Sequence, residues 1–202
     1  MPRKRTSAAS TAIEIAPGRT SPVDTVAAYQ MKITIASTSP PIWRRIRVAD
    51  CTLDLLHFHI QSAFGWENCH LHQFEIGKRC YGVPNPDFGF AIEDERKIRL
   101  CNIAPPGTAK VRFKYEYDFG DGWIHNIAVE KIAALPSSEA TPVCLAGARA
   151  CPPEDCGGPW GYVELLRALA DQNHPEHEDR MEWSGPIDSE AFDVDATTRA
   201  MK

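Results

Sequence analysis

No stretch of this sequence approaches the roughly 18 consecutive apolar residues that a membrane-crossing helix needs. A basic start, "MPRKR", is followed by no apolar core segment, so a secretory signal is not expected. Internal repeats and heptads are absent, which excludes solenoid and coiled-coil architectures. The sequence also lacks an excess of positive charge: Lys and Arg number 22 against 27 Asp and Glu, for a net charge of −5. Residues 1–19 hold Arg3, Lys4, Arg5 and Arg19 against Glu14, so the remainder carries about −8. A body of that sign is poor at gathering phosphates, because backbone binding of nucleic acid runs on Lys and Arg. Only Arg3, Lys4 and Arg5 offer a weak, salt-dependent nucleic-acid contact. No Gly-rich cofactor loop and no recognisable nucleophile–base pair is present.

What remains is an ordinary globular composition, 43% hydrophobic and 24% charged over 202 residues, enough for one domain. Residues 1–27 are rich in Ser, Thr, Ala and Pro and are expected to form a flexible arm before a domain over 28–202. The alternation of Met31, Ile33 and Ile35 predicts a strand, and that of Ile42, Arg44, Ile46 and Val48 a second, antiparallel to it. Leu53, Leu56, Ile60 and Phe64 share one helical face, with Thr52 placed to cap the helix and Gly65 to end it. "HLHQFEIGKRCYGV" reads as a hairpin turning at Gly77–Lys78. "IRLCNI" reads as a short strand or edge segment. The strongest hairpin is "VRFKYEYDFGDGWIHNIAVE", with the turn at "DFGDG". "WGYVELLRALADQ" and "HPEHEDRMEW" predict helices, and the C-terminal stretch a mixed tail in which Phe192 docks. Strands, helix, strands, long loop and helices in that order predict an α+β domain with a mostly antiparallel sheet.

The cysteines number seven, an odd set unlike a secreted disulfide framework, and the expected compartment is a reducing cytoplasm. Cys51, Cys69, Cys80 and Cys101 are isolated and read as small buried hydrophobes or inert thiols. Cys144, Cys151 and Cys156 cluster in "CLAGARACPPEDCGG", outside any apolar period and framed by Pro and Gly. Three thiols on a stiff loop suit zinc, which takes four ligands, commonly three Cys and one His. His72 or His70, two apart and so on one side of an extended strand, are the candidates for the fourth. Inert thiols bracing the loop, or a Cys151–Cys156 redox pair, are the alternatives. His174 and His177, at helical i, i+3 spacing, can also pair on a metal or simply open a solvated helix. At the hairpin tip, Asp118, Asp121, Trp123 and His125 are candidates for a recognition cleft, against the plainer reading of a tight turn with Trp123 packed beneath. A pocket gathering His125, Asp121, His72 and Glu154 is what an enzyme would require.

The motifs "PPIWRRIRV", "HLHQF", "YEYDFGDGWIH", "CLAGARACPPEDCGGPWGY" and "HPEHEDRMEW" follow one another as in plasmid pRiA4b ORF-3-like proteins, which the chain resembles over residues 29–193. It departs from them at "SGPIDSEAFD", where a Gly-Gly-aromatic stretch is expected. The resemblance implies a single α+β domain and carries no established activity. Some similar proteins bear a resolvase label and occur with mobile elements, but no nucleophilic serine set among arginines supports that chemistry here. The expectation is a non-catalytic binding or accessory module associated with plasmids or mobile elements. The alternative is an enzyme using a cleft between the "DFGDGW" hairpin and the cysteine loop.

Overall fold

The computed structural model describes residues 24–85, 92–108, 110–139 and 142–202. Its frame is one eight-stranded sheet. In chain order the strands are β1 (Thr25–Ile35), β2 (Trp43–Ala49), β3 (His72–Ile76), β4 (Arg79–Gly82), β5 (Glu93–Asp94), β6 (Arg112–Tyr117), β7 (Trp123–Pro136) and β8 (Val143–Ala148). They lie in the order β5-β4-β3-β6-β7-β1-β2-β8, and every pairing is antiparallel except β4 with β5. The helices are α1 (Leu53–Phe64), α2 (Leu100–Ile103), α3 (Gly158–Ala170), α4 (His177–Ser184) and α5 (Val194–Ala200). The architecture is the expected α+β one, and no helix among the described residues is long and apolar enough to cross a membrane.

The period-2 pattern explains how the sheet buries a single face. Met31, Ile33 and Ile35 of β1, Ile46 and Val48 of β2, and Phe113, Tyr115 and Tyr117 of β6 turn inward. Trp123, His125, Ile127 and Val129 of β7 do the same. Leu53, Leu56, Ile60 and Phe64 of α1 join them in one core. Each fully buried Leu or Ile contributes about 1.5–3 kcal/mol by leaving water. Gly65 ends α1 at φ 85°, a left-handed conformation that glycine adopts without strain.

Buried among these apolar groups is Arg44. Its guanidinium donates to the carbonyls of Ala63 (3.0 Å), Trp43 (2.9 Å) and Ala148 (3.0 Å), and Phe192 stacks over it at 4.4 Å. One side chain thus ties α1 and β8 to the C-terminal segment. Phe192 docks as expected, its ring seated where a Cβ on Gly147 would fall 2.4 Å away.

Four expectations are corrected. Structure begins before residue 28: Thr25–Ala27 belong to β1 and pair with Ala134–Pro136, because β7 runs far past the hairpin and offers them a partner. Residues 1–23, with Arg3, Lys4 and Arg5, lie outside the described residues. "LCNI" is a helical turn, not a strand. It is held by Asp50, which accepts from the Cys101 amide, and by Asn102, which accepts from the Arg99 amide. "VCLAGA" is strand β8, so Cys144 sits in a ladder with β2. The C-terminal tail forms α5, whose N-cap Asp193 accepts from the Ala196 amide at 2.8 Å.

Candidate functional site

Two tyrosines at i, i+2 on the buried face of β6 organise one end of the molecule. The Tyr115 hydroxyl lies 2.7 Å from Nδ1 of His57 and accepts from Gln61 Nε2 at 3.0 Å. On the other side of the His57 ring, Nε2 donates to Asn68 Oδ1 at 2.7 Å. That fixes the tautomer: Nε2 carries the proton and Nδ1 accepts from the phenol. Burial, and then the neighbouring His72 charge, lower the pKa of His57 to about 4. His57 is therefore a neutral, fully bonded imidazole.

Parallel to it lies His72, the first residue of β3, with ring centroids 3.6 Å apart and planes 6° from one another. His72 Nε2 donates to Glu95 Oε2 at 2.9 Å, and both side chains are almost wholly buried. His57, His72 and Glu95, with Asn68, Asp54 and His70, form the polar lining of a cavity of about 230 Å³. Its walls are Phe58, Leu71, Val83 and Phe119, all large apolar residues left exposed. An apolar rim over a few converging polar groups is the usual form of a small-ligand site.

Two residues along the strand, the Tyr117 hydroxyl builds the adjoining half. It accepts from the amides of Cys69 (3.0 Å) and His70 (3.3 Å) and donates to Glu154 Oε1 at 3.1 Å. Glu154 Oε1 also accepts from the Glu67 amide at 2.9 Å. Trp66 Nε1 donates to the carbonyl of Pro152 at 3.0 Å, and Asp121 Oδ2 accepts from the Gly157 amide at 3.0 Å. These contacts pin the cysteine loop between the entrance to β3 and the hairpin tip. As a result three carboxylates surround His70 Nε2: Asp155 at 3.2 Å, Asp118 at 3.7 Å and Glu154 at 3.8 Å.

The sequence candidates separate accordingly. His70, His72 and Asp118 take part in the site. Asp121 holds the loop. Trp123 and His125 do not line a cleft: both are fully buried, because their alternation places them on the inner face of β7. His125 Nδ1 donates to the Trp123 carbonyl at 3.0 Å, and burial lowers its pKa to about 4. His177 Nδ1 bonds the Ala168 carbonyl at 2.8 Å, while His174 Nδ1 accepts from the Glu176 amide at 3.2 Å. That pair serves helix ends.

Cys144, Cys151 and Cys156 are not gathered with His70 or His72 into a ligand set among the described residues. Cys144 Sγ donates to the Ala146 carbonyl within its own strand. Burial raises the thiol pKa of Cys151 well above its usual value and that of Cys156 to about 12. The groups of donors close enough to share one ion are instead Cys69, His70 and Glu154, and His70, Asp118 and Asp155. What the loop delivers to the site is Glu154 and Asp155.

These features define a single α+β domain whose sheet end carries a histidine-bearing pocket beside a carboxylate-ringed imidazole. The chain belongs to the plasmid pRiA4b ORF-3-like protein family, whose sequence profile matches residues 27–196. It is 39% identical over 160 residues to the uncharacterised protein y4hQ of Sinorhizobium fredii, covering 79% of this chain and 81% of that one. It is similar to the crystal structure of MM3350, a protein of unknown function from Methanosarcina mazei Go1. That likeness has a TM-score of 0.75 and 35% identity, over 84% of this chain and 97% of the other.

Proposed function

We propose that this protein is a binding module for a small molecule with an apolar body and one hydrogen-bonding end. The reading rests on the His57–His72–Glu95 group at the floor of a cavity rimmed by exposed Phe58, Leu71, Val83 and Phe119. The rim supplies non-directional burial, and the polar floor orients the hydrogen-bonding end of the ligand. The size, about 230 Å³, suits a molecule smaller than most drug-sized ligands. The plasmid in the family's name supports an accessory role carried on plasmids or mobile elements. The free thiols are in keeping with a reducing cytoplasm.

A thermal-shift screen of small polar and amphipathic compounds tests this reading. A ligand should raise the melting temperature of the native protein and lose its effect on Phe58→Glu and Leu71→Glu variants. Both positions are about half exposed, at 51% and 48%, so the fold tolerates the change. Stabilisation that persists unchanged in both variants would place the ligand elsewhere.

One observation favours a catalytic reading as the alternative. A carboxylate 2.9 Å from His72 Nε2 orients that imidazole as it would a general base. Turnover of a bound compound, lost in His72→Gln, would establish it.

A further inference from the structure

We infer that His70, Asp118 and Asp155 form a binding site for a divalent transition-metal ion at the mouth of the pocket, with Glu154 and Cys69 beside it. The inference does not depend on what the pocket itself holds.

The donor atoms have the right separations. Ligands about 2.1 Å from one ion stand roughly 3–4 Å apart, whether arranged as a tetrahedron or an octahedron. His70 Nε2 lies 3.2 Å from Asp155 Oδ1 and 3.7 Å from Asp118 Oδ2, and all three atoms fall within 4.8 Å of one another. Glu154 Oε2 approaches the same nitrogen at 3.8 Å.

The bonding around these atoms is incomplete. His70 Nε2 and Glu154 Oε2 are shielded from solvent and have no hydrogen-bond partner. Three carboxylate oxygens surround the nitrogen, yet none is aligned on it. Asp118 has a side chain only 10% exposed. Its Oδ1 is used by the amides of Gly120 and Asp121, and Oδ2 is left facing His70. Glu154 repeats this division, with Oε1 fully bonded and Oε2 turned inward.

Charge points the same way. Among the described residues no Lys or Arg forms an ion pair with Asp118, Glu154 or Asp155. One imidazole cannot balance three carboxylates, and partly buried carboxylates without a partner are costly. A dication bound by Nε2 and two carboxylates would satisfy the orphaned atoms and neutralise the cluster. Imidazole with carboxylate favours first-row ions such as Mn²⁺, Fe²⁺ or Zn²⁺ over an all-oxygen calcium cage.

The test is calorimetric titration of the metal-stripped full-length protein with Mn²⁺, a probe with little appetite for thiolates. One ion per chain should bind. Affinity should fall at least tenfold in His70→Gln and in Asp155→Asn, and stay unchanged in Cys151→Ser. The Asp155 side chain is 70% exposed, so its substitution leaves the fold intact. No saturation by about 1 mM Mn²⁺ would overturn the assignment. So would binding that survives both site variants, or binding abolished by Cys151→Ser.

Discussion

The imidazoles of His57 and His72 stack face to face, 3.6 Å between centroids and 6° from parallel, one from a helix and the other from a strand. Their partners differ. His57 is closed off by neutral Tyr115 and Asn68, whereas His72 donates a hydrogen bond to the Glu95 carboxylate. Two imidazolium rings at this distance would repel strongly in a buried setting.

This asymmetry predicts the titration of His57. By NMR its pKa should lie near 4, well under 6.5. In His72→Gln the value should rise, because a positive neighbour is gone, but remain below 6.5, because burial is the larger cause. A value unmoved by the substitution would show that the stack carries no electrostatic coupling.

Acid sensitivity follows from two of the buried histidines. His57 and His125 both have folded pKa values near 4, below the unfolded 6.5. The unfolded chain therefore binds more protons between those values. The stability they protect is complete above pH 6.5 and is lost as pH falls toward 4. Each contributes a slope of about 1.4 kcal/mol per pH unit within that window. His125 is ringed by Phe64, Trp66 and Tyr115, and its Nε2 has no partner. His125→Phe should accordingly flatten the fall in urea-unfolding free energy between pH 7 and pH 5. An unchanged slope would sink the assignment.

Tyr117 offers a test of how the two halves of the site are joined. Tyr117→Phe removes one oxygen that serves the Cys69 and His70 amides and Glu154. Leaving such groups unsatisfied costs about 1–3 kcal/mol each where they are buried. Hydrogen exchange at the Cys69 and His70 amides should accelerate in the variant by more than exchange in β1, which tracks global unfolding. Uniform change across the domain would show that Tyr117 serves only general stability.

Much of the fold was legible because its signals are local. Phe113, Tyr115 and Tyr117 alternate over a turn spelled "DFGDG", and Leu53 to Phe64 keep one helical face. β8 and α5 were not legible, for the opposite reason. "VCLAGA" shows no period-2 alternation of apolar and polar residues and becomes a strand only beside β2, far earlier in the chain. α5 has few apolar positions and is held by the exchange of hydrogen bonds between Thr198 and Cys144. Its one local signal was the capping Asp193.

The site shows the same division. His70, His72, Asp118 and Glu154 stand in motifs that draw attention by themselves. Glu95 and His57 acquire meaning only when β3, paired with β6, lies beside α1, which no spacing in the sequence encodes. In the cysteine loop the thiols are conspicuous, while its carboxylates resemble ordinary surface charge.

The last prediction concerns the joint between that loop and the hairpin tip. Asp121 meets the loop at two adjacent glycines. Its carboxylate accepts from the Gly157 amide, and its carbonyl oxygen lies where a Cβ on Gly158 would sit, 2.2 Å away. Gly158 also holds φ at 69°, a region that side chains rarely occupy. Gly158→Ala therefore meets a backbone clash that no rotamer change relieves, in addition to left-handed strain of about 1–3 kcal/mol. Asp121→Ala loses a single charge-assisted hydrogen bond at an exposed position, on the order of 1 kcal/mol. Denaturant unfolding should rank Gly158→Ala as clearly the more damaging. If the loop's attachment to the tip sets the position of Glu154 and Asp155, then Gly158→Ala should also weaken Mn²⁺ binding at protein concentrations and temperatures where it remains folded. A fully folded Gly158→Ala variant with native Mn²⁺ affinity would show that Tyr117, Trp66 and the Glu67 amide hold those carboxylates in place without the tip.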